Sequence, residues 1–348
     1  MRSFTHINVQ TIAEACTTLA TYKGRARLNA GGTDLLLTLK GDILPDYPEA
    51  VINIKTIPDL DYIKLDSDVL KIGALACLSN VAQSPILKEK YWVLAKAALS
   101  VASPQIRNVA TLGGNLCQDV RCWYYRYPRR MGGPVKCLRK GSGLCLAVKG
   151  DNRYHAIMGG RKCFAVCPSD TAVALAALDA RITITNSKGD RSIAVTDFFN
   201  SLGNALTVGE MIKEIEIPRI TPLAKQTFLK FTLRKPIDFA IVSVASVIAT
   251  QDGICTDARI ALGAVAPGPV RVKTAEKMMI GRPINEETAS KAAEEALVGA
   301  KPLSKNAYKV EIAKILVKRA IIDDHKSYDV LHEVVRHGAK DRQESKSF

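Results

Sequence analysis

Residues 25–40 read R-A-R-L-N-A-G-G-T-D-L-L-L-T-L-K. A short strand over Arg27–Ala30 runs into Gly31-Gly32, and Thr33 or Asp34 then opens an apolar helix from Leu35. Two glycines let the backbone turn tightly and approach a ligand with no Cβ in the way. The amides that follow point out of a helix start, which suits a phosphate or pyrophosphate. The same pattern also serves as a plain strand-to-helix turn with a Thr/Asp cap. It is not the G-x-G-x-x-G spacing, so a Rossmann domain is not expected.

Upstream, residues 1–20 suggest a strand and then a helix with Val9, Ile12, Ala13, Cys16 and Leu19 on one face. Downstream, Val51–Ile54, Tyr62–Leu65 and Val69–Ile72 suggest strands of one small sheet. Leu78 to about Val101 suggests a helical region broken near Pro85. A second glycine pair follows in Q-I-R-N-V-A-T-L-G-G-N-L-C (105–117), where Gly113-Gly114 ends an apolar run beside Asn115. Two such turns are what holding the two ends of one extended phosphate ligand requires.

From Cys117 to Cys167 the chain carries six of its nine cysteines (117, 122, 137, 145, 163 and 167). The same window holds eleven Lys or Arg against Asp119 and Asp151, over half of the chain's formal net charge of +15. Thiols wrapped in positive charge point to a site that lowers thiol pKa and stores negative charge. An iron–sulfur cluster on four thiolates meets both needs. Structural zinc is the alternative, although zinc sites favour cysteine pairs two to four residues apart. Only Cys117/Cys122 and Cys163/Cys167 come near that spacing.

The 348 residues provide for two or three domains, and 47% hydrophobic with 24% charged residues is ordinary for a soluble protein. The N-terminus has no apolar run of the signal-peptide kind, and no window approaches ~20 apolar residues. A cytoplasmic location with reduced thiols, rather than a disulfide framework or a membrane span, is therefore expected. The basic excess sits inside the cysteine-rich segment and not on a separate tail, which argues against nucleic acid as a partner.

In the second half, P-R-I-T-P (218–222) marks a domain boundary. Phe228–Thr232, Ile241–Thr250 and Ala258–Ala264 suggest one antiparallel sheet, with helices at 286–299 and 304–322. Cys16 and Cys77 suit core positions, and Cys255 lies in a turn with no evident role.

L-N-A-G-G-T-D-L (28–35), T-L-G-G-N (111–115) and P-S-D-T-A-V-A-L (168–175), in that order, resemble the FAD-binding subunits of the molybdenum hydroxylases, the xanthine dehydrogenase family. R-C-W-Y-Y (121–125), K-C-L-R-K-G (136–141), G-L-C (143–145) and K-C-F-A-V (162–166) resemble the loop of the 4-hydroxybenzoyl-CoA reductase beta subunit, which binds an extra [4Fe–4S] cluster. The gap before Cys163 is longer here, because G-D-N-R-Y-H-A-I-M-G-G intervenes, and this leaves Cys167, and at the other end Cys117, as alternative ligands.

The resemblance implies an α+β fold. A two-lobed FAD-binding domain of the PCMH type would span 1–220, with 117–167 as an inserted [4Fe–4S] loop. A small α+β C-terminal domain (antiparallel sheet plus helices) would span 221–325, and a polar tail 326–348. FAD would be held by Leu28, Asn29, Ala30, Gly31, Gly32, Thr33, Asp34 and Leu35 on one side and by Thr111, Gly114 and Asn115 on the other. Asp170, Ile212 and Lys230 match further cofactor contacts; Asp170 also suits a helix N-cap, and Lys230 a solvated strand position. Cys122, Cys137, Cys145 and Cys163 match the cluster ligands, and no residue is implied as catalytic. The implied role is electron transfer between [2Fe–2S] clusters, FAD, the [4Fe–4S] cluster and a ferredoxin-like carrier. The implied partners are a molybdopterin-binding large subunit and a [2Fe–2S] small subunit, since this chain has no C-x4-C-x2-C run. A free-standing flavin oxidoreductase with a structural zinc loop is the alternative.

Overall fold

The computed structural model describes residues 1–322 except 134, 142 and 235–236; the tail expected at 326–348 lies outside the described residues. Three sheets carry the fold. The first holds β1 (Thr5–Asn8), β2 (Ala26–Asn29) and β3 (Ala50–Asn53), all parallel in the order β1-β3-β2. Parallel strands need crossovers, and the helices Ile12–Thr21 and Leu35–Gly41 supply them. The first of these buries Ala15 and Cys16 with Ile12 and Leu19 packed beside them, and only Ala13 of the expected stripe is exposed, because Ala15 takes its place on the core side.

The second sheet is antiparallel, in the order β4-β5-β10-β6-β7. It comprises β4 (Ile63–Asp66), β5 (Val69–Gly73), β6 (Arg181–Asn186) and β7 (Gly189–Ala194). A small hairpin of β8 (Phe199–Asn200) and β9 (Gly203–Asn204) precedes its central strand, β10 (Met211–Ile217). The three strands expected to share one sheet thus divide between two. Every residue of β3 is buried, as the middle strand of a helix-covered parallel sheet must be, whereas β4 is mostly exposed, as befits an edge. Between the sheets the helical region breaks twice, into Leu78–Gln83, Pro85–Lys90 and Trp92–Leu99, because Tyr91 as well as Ser84 leaves helical geometry.

The third sheet joins β11 (Lys225–Phe231), β12 (Val242–Gln251), β13 (Ile254–Gly263) and β14 (Val270–Arg271) as antiparallel neighbours. The period-2 alternation of β12 sends Val242, Val244 and Ile248 into one core and Ala245 and Val247 into another. The first core is closed by the helices Lys273–Met279, Glu286–Ala296 and Tyr308–Ile322. The second is closed by the helix Asp170–Ala177, so the C-terminal sheet also completes the N-terminal core. The helix Lys273–Met279 carries no strong sequence signal, being short and lacking a side-chain N-cap bond. Cys255, placed in a turn by the sequence, lies buried on β13.

Candidate functional site: two glycine turns and a thiol-lined cavity

Gly31 and Gly32 follow the carboxyl end of β2, where ligands enter open α/β sheets. Asn8, Asn53 and Asn29 stand in register across that end. Asn53 Nδ2 donates to Asn8 Oδ1 at 2.8 Å, while Asn29 Oδ1 is buried with no partner among the described residues. The backbone N–H groups of Gly31, Gly32 and Thr33 likewise find no acceptor among the described residues. A Cβ on Gly31 would overlap the carbonyl oxygen of Val109 and lie 2.9 Å from Ala110 Cα. Gly32 has φ +70°, in the left-handed region that favours glycine. The first turn thus offers unspent donors and a backbone pressed against the segment that leads into the second turn.

The second turn is built differently. Thr111 is the N-cap of the helix Leu112–Cys117, and its Oγ1 accepts from Gly114 N–H at 3.1 Å. Gly113 N–H donates to Ala74 O at 2.9 Å. Asn115 Oδ1 accepts from Ser169 Oγ at 2.6 Å and Thr171 Oγ1 at 2.7 Å. Of the residues expected to wall the cofactor here, Thr111 therefore caps its own helix, and the Asn115 side-chain carbonyl ties the T-L-G-G-N segment to P-S-D-T.

Asp170 is not a cap: Ser169 is, accepting from Ala172 N–H at 3.1 Å. Nor is Lys230 solvated, since its Nζ meets Asp170 Oδ2 at 2.7 Å and Ser100 O at 2.9 Å in a pair with both side chains under 10% exposed. Burial holds the Asp170 carboxyl above its ordinary pKa despite the lysine beside it. Ile212 sits at a bulge in β10 and joins the main core with Ala110 and Leu112. The Lys230–Asp170 pair bridges β11 to the N-terminal core. Lys230→Met is therefore expected to cost about 3–5 kcal/mol by stranding a buried carboxylate. Urea unfolding would measure it, and adding Asp170→Asn should recover part of the loss. Unchanged stability in the single variant would rule out the structural role.

Asp34 turns away from the glycines. Its carboxylate takes Arg121 Nη1, Arg126 Nη2 (2.7 Å) and Asp119 N–H (2.7 Å), tying the first glycine turn to the start of the cysteine-rich segment. Burial opposes its charge, but the two guanidiniums outweigh burial and hold its pKa below the usual carboxylate range.

Beyond that anchor, Cys122, Cys137, Cys145 and Cys163 line one small cavity of about 20 Å³, together with Tyr125, Arg139, Leu146 and Lys162. Cys117 is exposed, and Cys167 packs in the main core with its N–H on Ala266 O. No three His, Cys, Asp or Glu side chains among the described residues stand close enough to hold a single metal ion. Buried donors lack partners around the cavity: Lys140 Nζ and Arg139 Nε. The expected lowering of thiol pKa is not found. Burial pushes Cys122 up to about 11 and raises Cys163, because most of the segment's cations face solvent. Burial thus favours the protonated thiol at Cys122 and Cys163, and loading a metal there must displace those protons.

The sequence reading passed over His155, which stands with Nε2 3.2 Å from Cys122 Sγ. It also missed Lys309, whose fully buried Nζ donates to His155 O (3.0 Å) and Ala264 O (2.5 Å). Burial alone lowers Lys309 to about 7, and burial first, then the Lys309 charge, lowers His155 to about 4. A lone histidine amid six cysteines was the available signal for the first. The second has none, since Lys309 reaches the loop from 154 residues away.

The comparisons agree with this architecture. The family model described as the FAD binding domain in molybdopterin dehydrogenase matches residues 2–220, and the CO dehydrogenase flavoprotein C-terminal domain matches 227–323. The chain belongs to the FAD-binding subunits of the molybdenum hydroxylases, and so is an oxidoreductase subunit that binds FAD. It is 36% identical to the aldehyde oxidoreductase FAD-binding subunit PaoB of Escherichia coli (strain K12), over 90% of this chain and 96% of that one. It is 26% identical to the carbon monoxide dehydrogenase medium chain of Hydrogenophaga pseudoflava, over 90% and 93%. Among solved structures, quinoline 2-oxidoreductase from Pseudomonas putida 86 superposes with a TM-score of 0.72 at 27% identity, covering 92% of this chain and 96% of that one. No helix among the described residues is long and apolar enough to cross a membrane.

Proposed function

We propose that this chain carries both FAD and a [4Fe–4S] cluster, and passes electrons between them within a complex that also holds a molybdopterin-binding large subunit and a [2Fe–2S] small subunit. Relatives named as a FAD-binding subunit and a medium chain support the assembly. FAD accepts electrons in pairs and releases them singly, which joins two-electron chemistry to one-electron clusters. The flavin would lie along Leu28–Leu35, with the free amides of Gly31–Thr33 and the unpaired Asn29 Oδ1 facing its polar groups. Thr111, Gly114 and Asn115 would fix the opposite wall, and Asp170, Ile212 and Lys230 the packing behind it.

The observation that carries the cluster is the convergence of Cys122, Cys137, Cys145 and Cys163 on one cavity, although they lie up to 41 residues apart in sequence. A cubane binds each thiolate to a different iron, so its ligand sulfurs stand apart, whereas zinc draws four ligands onto one centre. Four cysteines that line one cavity, with no three among the described residues grouped around a single ion, suit the former. The unpartnered Lys140 and Arg139 donors suit an anionic occupant. The loop is then of the kind found in the 4-hydroxybenzoyl-CoA reductase beta subunit, and the exposed cations around it would attract an acidic carrier of the ferredoxin type. The domain limits follow as 1–220, with its loop at 117–167, and 221–325.

Metal and flavin analysis of the anaerobically purified complex tests this. About four iron and four sulfide beyond those of the small subunit, with one FAD, are expected. One zinc and no additional iron would favour the free-standing flavin oxidoreductase with a structural zinc loop.

A further inference from the structure

His155 approaches a proposed cluster sulfur directly, with Nε2 3.2 Å from Cys122 Sγ. Its ring is only 3% exposed and is edged by Trp123 at a centroid distance of 5.7 Å. Its Nδ1 has no partner among the described residues, so the sulfur is the ring's one polar contact there. The backbone around it is clamped from the far domain. His155 O accepts from Asn306 Nδ2 and Lys309 Nζ, both at 3.0 Å, and His155 N–H donates to Asn152 O at 3.0 Å. Asn152, itself buried, is tied to Ser304 Oγ at 3.1 Å and to Lys305 N–H at 2.9 Å. Four residues of the C-terminal domain's last loop and helix, Ser304, Lys305, Asn306 and Lys309, thus hold the backbone that carries this imidazole.

A thiol ligated to iron has lost its proton, so any hydrogen between Nε2 and Sγ must then belong to the ring. An N–H···S bond draws charge from the sulfur and favours the more negative, reduced cluster. We infer that His155 is a positioning residue for the iron–sulfur centre: held by Asn306 and Lys309, it donates Nε2–H to the Cys122 sulfur and raises the cluster's reduction potential. This rests on the cluster reading given above, and adds to it a specific ligand polarised by a group outside the ligand set. The clamp also explains how a loop that shows two short 3-10 turns and no strand among its described residues keeps its shape: the C-terminal domain holds the backbone of the histidine beside the sulfur.

The test is an EPR-monitored redox titration of the whole complex at fixed pH, with iron and sulfide counted in each variant. His155→Phe keeps the aromatic packing and removes the donor; its cluster should be present at wild-type iron and shifted to lower potential. His155→Gln places an amide nitrogen near the lost Nε2 and should return the potential towards wild type. Where the Phe variant yields no soluble complex, His155→Asn, too short to reach the sulfur, replaces it in the comparison with Gln. An unchanged potential in the Phe or Asn variant overturns the inference. So does a fall to about three iron with a [3Fe–4S] signal, which would make the ring a ligand. Wild-type complex without the additional iron would overturn the cluster reading itself, and with it this inference, so the two failures are told apart.

Discussion

Gly31→Ala should leave the complex largely without flavin. The added methyl would overlap the Val109 carbonyl oxygen, with the carbonyl carbon 2.8 Å away and Ala110 Cα 2.9 Å away. All three are backbone atoms, so no side chain can swing aside, and the two turns must separate instead. Overpacking of this kind costs about 1–3 kcal/mol. The separation opens the gap between the turn with free amides and the segment facing it, so most of that cost falls on the cofactor site. At about 1.4 kcal/mol per decade, FAD retention should fall roughly 10- to 100-fold. Flavin absorbance per chain after gel filtration would report it, with iron in the cysteine loop retained. Gly203→Ala is the control, since nothing lies within 4 Å of a Cβ there. Full FAD occupancy in Gly31→Ala would remove the glycine turn from the cofactor site. Gly32→Ala should act in the same direction but more weakly, through its left-handed φ of +70° and the flexible Asn29 side chain 2.9 Å from the new methyl.

What the sequence made legible was what local chemistry specifies. The glycine pair at 31–32, the strand before it and the apolar helix after it are all short-range features, and each lies within a residue or two of its expected place. The long alternating runs of β12 and β13 were legible for the same reason. Sheet membership was not, because β3 and β4 read alike as short apolar runs, yet β3 pairs with β1 and β2 upstream while β4 pairs with β5, whose other neighbour is the distant β10. The roles of Asp34 and Lys230 were also hidden. A motif marks a residue as special but does not say whether its side chain meets a ligand, and here each forms an ion pair with a remote segment. The thiols showed a related limit. Counting cations along the sequence suggested low thiol pKa values, but charge acts through space and burial, and most of those cations point outward.

Cys145→Ser should strip the iron from the loop and leave FAD in place. Cys145 is, with Cys122, one of the two half-buried members of the four cysteines, and a serine oxygen is a poor substitute for thiolate in a cubane. Iron beyond the small subunit's share should fall from about four per chain to below one, or to about three where a [3Fe–4S] remnant survives. Flavin should persist because the loop's anchors do not pass through Cys145. Asp34 holds Arg121 and Arg126 upstream, and Ile157 packs into the C-terminal core downstream. Cys167→Ser makes the informative contrast. Cys167 is the closest cysteine in sequence to Cys163, yet it lies outside the cavity, in the main core. Its replacement should retain the iron and cost about 1–3 kcal/mol for a buried hydroxyl. Iron kept in the Cys145 variant, or lost in a folded Cys167 variant, would show that the cavity does not define the ligand set. Loss of both cofactors from Cys145→Ser would show that the loop and the flavin turn form one site, with the Asp34 network as a wall rather than a tether.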